Sequence, residues 1–574
     1  MNTGRNNKII KKKYMQFFFS VLFSVLILQI TTIIDSMIVG TVLGTKEMSG
    51  VKAASPVISL MMVFGVLVSV GISLVISISL GKRDIKKANT AYSFGLWLSI
   101  LVGLVITLIG FFLSDAIISL ITSDNNILEF AKTYSKTVLI AAPFYMLSSY
   151  LGYVIRSDGF PKLSMVLLIS GGLINVSFDL IFMLGFKLGV RGAAIATDVS
   201  FIGSTLIGII YLFMKNRNLH FVNIFKNKEE IKDIFKISMK NGFPGATRLL
   251  LTNIAIIVSN FVIGKYVGYM GIALFTVVSN LGLIATGVFQ ASGVSMMPIM
   301  GVFFGEKDYR GCELLIRYVI AFLLGIVVVI IALIVAFANF YFPLFGIKDP
   351  SDEFVLILRL YSLGFIFAGL NYIILYYFNG LQKLVISLLV PLIEQVIIYI
   401  PLTLWLIPTM GMYGLIVIFI ASEAATTIIT ILLLFIIKKK KNYANLLLLP
   451  KNKNDVLLDF TVLASNIEAS TVSENVGKIL LENNIEEKKC NHVAVLLEEL
   501  IISTKEKKVK NKKVYIDVRI IKSEENIIVS MRSNGYPYNP LIDNDEITQS
   551  LIESFAIKCK YNQIIGFNQT LIEV

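Results

Sequence analysis

Charge is scarce in this chain: only 16% of its 574 residues are Asp, Glu, Lys or Arg, where a soluble protein carries about 25%. That excludes a single water-soluble domain of this length. The three cysteines, Cys312, Cys490 and Cys559, stand far apart, which excludes a disulfide framework and a zinc site. Both histidines, His220 and His492, fall outside the apolar runs, so neither serves as a proton relay within a membrane. The GxxxxGK[ST] phosphate loop is absent, which argues against an ATP-driven pump. Basic stripes interleaved with aromatics are missing too. The net charge of +14 is therefore not directed at nucleic acid.

What is abundant is apolar length. Hydrophobic residues make up 56% of the chain, mean hydropathy is +0.77, and the apolar residues are grouped into long runs. At 1.5 Å per residue, a hydrocarbon core of about 30 Å needs about twenty residues. Runs of that length fall near 17–39, 54–80, 91–113, 134–155, 164–186 and 190–214, then near 238–263, 271–300, 313–338, 354–378, 384–408 and 412–437. The expected class is an all-α membrane protein with twelve transmembrane helices in two six-helix bundles, followed by a soluble α/β sandwich domain. The expected divisions are 1–215, a linker at 216–237, 238–441, and a tail at 442–574. The basic stretch Arg5 to Lys13 precedes a run with no small-residue cleavage site, so the first helix is expected to be retained.

Lys and Arg gather after the second, fourth, sixth, eighth and twelfth runs: Lys82, Arg83, Lys86 and Lys87; Arg156 and Lys162; Lys215 to Lys240; Lys307 and Arg310; Lys438 to Lys441. Basic loops remain on the cytoplasmic side. The expectation is a multi-pass inner (cell) membrane protein with its N-terminus and tail in the cytoplasm. The loops also repeat. Gly81-Lys82-Arg83-Asp84 matches Gly305-Glu306-Lys307-Asp308, Arg156-Ser157-Asp158-Gly159-Phe160-Pro161-Lys162 corresponds to Asn379-Gly380-Leu381-Gln382-Lys383, and Leu188-Gly189-Val190-Arg191-Gly192 corresponds to Met410-Gly411-Met412-Tyr413-Gly414. A constant offset of about 222 residues is what duplication produces. With six helices per copy the repeats are parallel, related by an axis along the membrane normal.

Ionisable residues inside apolar runs cost at least about 2.5–3.5 kcal/mol each on insertion scales, so they mark function. Asp35 lies in the first run, and Asp179 lies one turn after Asn175 in the fifth. Asp198 follows Thr197 in the sixth. The second half holds Glu394, Glu423 and Arg248. A cluster of Asp35, Asn175, Asp179 and Thr197 offers two carboxylates with amide and hydroxyl oxygens, able to bind a sodium ion or share a proton. Gln29, Asp198, Glu394 and Glu423 are secondary candidates. Arg248, near a helix end, is expected to snorkel to water.

The stretch Gln29-Ile30-Thr31-Thr32-Ile33-Ile34-Asp35, closing on Val39-Gly40, resembles the Q…D…VG pattern of the multidrug and toxic compound extrusion (MATE) transporters. Ala53-Ala54-Ser55-Pro56, Gly81-Lys82-Arg83-Asp84, Arg156-Ser157-Asp158-Gly159, the Asn175–Asp179 pair and Gly192-Ala193-Ala194-Ile195-Ala196-Thr197 are similar to further motifs of that family, in order, over about residues 10–440. The resemblance implies a V-shaped pair of bundles, a transporter rather than an enzyme, that exports amphipathic, often cationic small molecules in exchange for sodium or protons. It carries the cation site onto Asp35, Asn175, Asp179 and Thr197. It implies no cofactor beyond the coupling ion, and membrane lipid as the surrounding partner. Leu389-Val390-Pro391-Leu392-Ile393-Glu394 departs from the family, many of whose members place an arginine there, which leaves the usual substrate range in doubt. A lipid or lipid-linked oligosaccharide flippase of the same superfamily, and a membrane sensor signalling through its tail, are the alternative readings.

After Lys441 the composition turns soluble, with helical periodicity near 472–484 and 488–505 and a strand pair near 513–521 and 526–532. This tail resembles the ATP-binding module of histidine kinases and anti-sigma-factor kinases through Leu497-Glu498-Glu499-Leu500 and Arg532-Ser533-Asn534-Gly535. The resemblance places nucleotide residues at Glu499, Ser503, Ser533 and Gly535. Ser503 stands where the metal-holding asparagine belongs, Ser533 where the adenine-reading aspartate belongs, and Pro537 replaces a loop glycine. The expectation is a degenerate module that docks a cytoplasmic regulatory protein instead of ATP.

Overall fold

The computed structural model describes residues 4–121, 125–224, 228–344, 350–450, 456–506, 513–523, 526–536, 538–540, 542–543 and 546–574. Pro537 and the turn at 524–525 lie outside the described residues. By packing the chain divides into two units. One comprises Gln16–Lys307 and Val319–Lys440; the other joins Met1–Met15, Asp308–Tyr318 and Lys441–Val574.

Among the described residues ten helical runs are long and apolar enough to cross a bilayer, or eleven when the pair Ile127–Ile140 and Ala142–Ser157, bent by 57°, counts as one span. The run Leu384–Lys441 has 58 residues, far beyond the ~20 one crossing needs. It is broken by Gly411, whose φ of +57° no helix contains, and by a short 3-10 turn at Gly411–Tyr413. Counted as two crossings, it brings the total to the expected twelve.

The repeat is visible in the turns. Arg83 and Lys307 have φ of 60° and 57°, Gly159 and Gln382 have 98° and 57°, and Gly189 and Gly411 have 59° and 57°. In each of these three pairs a left-handed residue recurs at its duplicated position. Phe160 N–H closes on Ile155 O at 3.0 Å, and Lys383 N–H closes on Phe378 O at 2.8 Å, the same helix-ending bond in both copies. The two bundles meet where these basic loops begin. A Cβ added at Gly81 would run into the carbonyl of Val302, and one at Gly242 into that of Leu67. Backbones approach this closely only without a side chain.

The segment linking the bundles is pinned by a buried carboxylate. Asp158 accepts from Tyr211 OH at 2.6 Å and from the Asn218 side chain at 2.9 Å. His220 N–H and Val222 N–H bond Asn89 and Ser93. Burial pushes the Asp158 carboxyl up to about 6, with the bonds from Tyr211 and Asn218 opposing part of the shift. The unfolded chain releases this proton near pH 4. Its contribution to stability is therefore full below about pH 4 and lost as pH rises through about 6. Asp158→Asn is expected to flatten that segment of the plot of thermal midpoint against pH; an unaltered slope would contradict the assignment.

The second unit is built on a five-stranded antiparallel sheet of order β1-β2-β3-β5-β4, with β1 Val456–Leu463, β2 Tyr515–Ser523, β3 Asn526–Ser533, β4 Lys558–Ile564 and β5 Phe567–Glu573. Period-2 alternation gives it two different faces. Phe460, Val462, Ile516, Val518, Ile520 and Met531 pack in one core with Leu480, Val493 and Leu497 of the helices Asn466–Glu482 and Glu487–Glu506.

Asp459, Thr461, Asp517, Arg519 and Arg532, the alternate residues, form the other face. There Asp459 pairs across the strands with Arg519, and Asp517 with both Thr461 and Arg532. Arg5 enters this face. Its Nε reaches Asp517 at 3.1 Å, and its Nη1 reaches Asp308 at 2.8 Å; Arg532 Nη1 is 3.1 Å from Asp308. Three arginines and three aspartates balance. Burial alone would raise Asp308, yet Arg5, Arg519 and Arg532 hold it well below the ordinary carboxylate range. Burial pushes Asp459 up to about 6.

Candidate functional site

Asp35 comes from the first span, Lys8–Val42; Asn175 and Asp179 come from Pro161–Asp179, and Thr197 and Asp198 from Gly189–Ile209. The fold brings them together. The carboxyl groups of Asp35 and Asp179 lie within hydrogen-bonding reach of each other, and Asp179 is fully buried. Asn175 Nδ2 donates to Thr197 Oγ1 at 3.4 Å, and Thr197 donates to Ala193 O at 3.1 Å. Asp35 Oδ1, both Asp179 oxygens and Asp198 Oδ1 are buried and receive no donor. Orphan buried oxygens are rare. These four mark carboxylates held inside an apolar bundle; among the described residues no three His, Cys, Asp or Glu side chains come together in a way that could hold a metal ion.

Two features of this site were not read from the sequence. Tyr134, from the bent fourth span, sits 3.4 Å from Thr197 Oγ1 and close enough to Asp35, Asp179 and Asp198 to interact with each charge. Directly after Asp179 the helix widens into a π-turn, Leu180–Gly185. Such turns insert one extra residue and gather at functional positions. Gln29 does not join the cluster. It reaches from the first span to the other bundle, donating to Leu283 O at 3.0 Å.

Glu394 and Glu423 meet in the second bundle instead. There the structure corrects the expectation for Arg248, which does not snorkel. It is 7% exposed and grips Glu394 with both arms of its guanidinium, at 2.7 and 3.0 Å. The Tyr372 ring lies 3.8 Å from the guanidinium. Gln395 donates to Glu394 at 2.7 Å, Asn371 donates to Glu423 at 2.7 Å, and Thr427 donates to Asn371. Helix-end proximity in the sequence was overridden by a partner 146 residues away, presented from a second π-turn, Leu392–Tyr399. A bidentate arginine–carboxylate pair satisfies geometry as well as charge.

In the tail, Glu499 accepts from Thr548 at 3.5 Å, and Asn568 Nδ2 bonds Ser533 Oγ, the Gly535 carbonyl and, at 2.7 Å, the Tyr536 carbonyl. Ser503, at the position expected for a metal ligand, is covered by Tyr538. Its hydroxyl lies 3.2 Å from Ser503 Oγ and 2.6 Å from Thr504 Oγ1.

Duplicated helix bundles with buried carboxylates between the helices define a multi-pass membrane protein of transporter architecture. The chain belongs to the MatE family, whose model matches residues 21–181 and 244–405. It is 31% identical over 262 residues to the multidrug export protein MepA of Staphylococcus aureus, a match covering 44% of this chain and 58% of that relative's length. It is 27% identical over 370 residues to MepA of Staphylococcus haemolyticus, covering 62% and 80%. Among solved structures, an outward-facing MATE family transporter of the MOP superfamily superposes with a TM-score of 0.70 at 20% identity, covering 75% of this chain and 97% of that one. A MOP superfamily transporter from Pyrococcus furiosus gives 0.68 at 21%, covering 74% and 94%. These likenesses establish the shared fold of the membrane bundles.

Proposed function

We propose that this protein is a cation-coupled antiporter that exports amphipathic, often cationic small molecules by alternating access. The observation that carries the reading is the Asp35–Asp179 pair, two carboxyl groups turned on each other in a buried site whose oxygens lack donors. Like charges so placed cannot both remain ionised and unaccompanied. A proton or sodium ion resolves the conflict, and the remaining oxygens of Asn175, Thr197 and Tyr134 are hard ligands of the kind sodium accepts. Cation and cargo then favour different states of one two-state bundle, and each lowers the affinity for the other. With the basic loops in the cytoplasm, the close contact at Gly81 and Val302 belongs to the state closed to the cell interior. Purified protein in liposomes, given a fluorescent cation and either a sodium or a pH gradient, tests the reading. Transport driven by one gradient supports it; transport indifferent to both overturns it.

The tail is read as a regulatory docking module. The Tyr538 hydroxyl occupies the neighbourhood of Ser503, where metal-bound phosphates would need room and an amide oxygen. Titrating the full-length protein with Mg-ATP in a calorimeter is expected to show no saturable heat at micromolar concentrations; micromolar binding would overturn the degenerate assignment.

A further inference from the structure

Five arginines are buried among the described residues, and Arg519 and Arg532 share Asp308 in the tail's charge cluster. Arg5 has Asp308 and Asp517, and Arg248 has Glu394. Arg156 is only 4% exposed, and among the described residues no carboxylate pairs with it. The nearest acid in sequence, Asp158, directs its oxygens to Tyr211 and Asn218 instead. Arg156 donates through Nη2 to Ser164 Oγ at 3.1 Å and lies 5.3 Å from the Tyr153 ring centre, while its Nε has no acceptor. Its place in the last turn of its helix adds a modest favourable interaction with the helix dipole. Burying an ion costs more than that even after relaxation. The helix end and one hydroxyl do not offset that.

The guanidinium borders a cavity of about 10 Å³, lined also by Ser73 and Ser77 of the second span, by Ser157, and by Val294 and Met297 of the eighth. A space of that order holds one water or one monatomic ion. Ser73 and Ser77 now donate to the carbonyls of Val70 and Ser73 at 3.0 and 2.9 Å, but a hydroxyl rotates to suit what it faces. We propose that this cavity binds a single halide, chloride in physiological media, held by Arg156 with the serine hydroxyls as added donors. Water would fill the volume and leave the charge uncompensated; chloride fills it and cancels the charge. The second and fourth spans belong to one bundle and the eighth to the other, so the bound ion bridges them beside the Gly81–Val302 approach and stabilises that closed contact.

Equilibrium dialysis of full-length protein in detergent against chloride-36, with gluconate holding ionic strength constant, tests this. The expected result is saturable binding of one chloride per chain, with a thermal midpoint that rises along the same isotherm. Arg156→Met is expected to abolish both. Arg156→Lys keeps the charge but loses the fork, and is expected to weaken binding about tenfold, the equivalent of one charge-assisted bond. No saturable chloride in the wild type, or unchanged chloride in Arg156→Met, overturns the site. Should Arg156→Met not fold, Ser73→Ala/Ser77→Ala decides: weakened binding supports the site, and wild-type affinity overturns it.

Discussion

Replacing Asp35 or Asp179 with asparagine is expected to reduce gradient-driven export by about 5–150-fold, the usual span of a coupling factor between two sites, while the protein still folds. The substitution keeps shape and replaces a titratable carboxyl by a neutral amide. The site then no longer distinguishes loaded from empty, and a ligand with no differential affinity shifts no equilibrium. Stability should hold or rise, because the change removes one of two facing carboxylates in a buried site and with it the like-charge repulsion. The measurement is the initial rate of substrate uptake into inverted liposomes, set beside the thermal midpoint of the same preparation. Full export by either variant would remove the pair from the mechanism. Tyr134→Phe, which deletes only the hydroxyl 3.4 Å from Thr197, provides a milder companion whose export should fall between wild type and the asparagine variants.

The second large effect is structural. Arg248→Met is expected to cost about 3–5 kcal/mol, because it leaves Glu394 and its neighbour Glu423 buried without their cation. Adding Glu394→Gln to the same chain should recover much of that loss, since the amide needs no counter-charge and Gln395 still reaches it. A thermal or denaturant unfolding cycle over the two single variants and the double variant measures the coupling. If the double variant is as unstable as Arg248→Met alone, the damage comes from lost packing on Tyr372 and not from the stranded carboxylates.

What could be read from the sequence followed what hydropathy records. Lipid demands about twenty apolar residues per crossing, so the spans announced themselves. The glycines and basic residues at the turns showed the duplication, because a left-handed turn and a topology signal both leave a mark in one dimension. Asp35 and Asp179 were legible for the same reason: a carboxylate in an apolar run has no innocent explanation at low cost. The rest depended on distance. Arg248 looked like a snorkelling residue because its partner lies 146 positions on. Tyr134 looked like any aromatic in a span. The π-turns carry no compositional mark. Asp308 repeats Asp84 in both motif and local role, each accepting from the N–H three residues later at 2.9 and 3.0 Å. Nothing in the motif tells that one copy also receives three arginines.

Arg5 and Asp517 lie 512 residues apart along the chain, and this separation sets an order of events during synthesis. Ribosomes add about 5–20 residues per second, so Arg5 waits at least tens of seconds before Asp517 and Arg532 exist. By the end of that interval all the membrane spans have been made, while Arg5 has had no partner in the tail. The charge cluster therefore closes only after the third strand of the tail has been made: a chain stopped before it leaves Arg5 and Asp308 without Arg532.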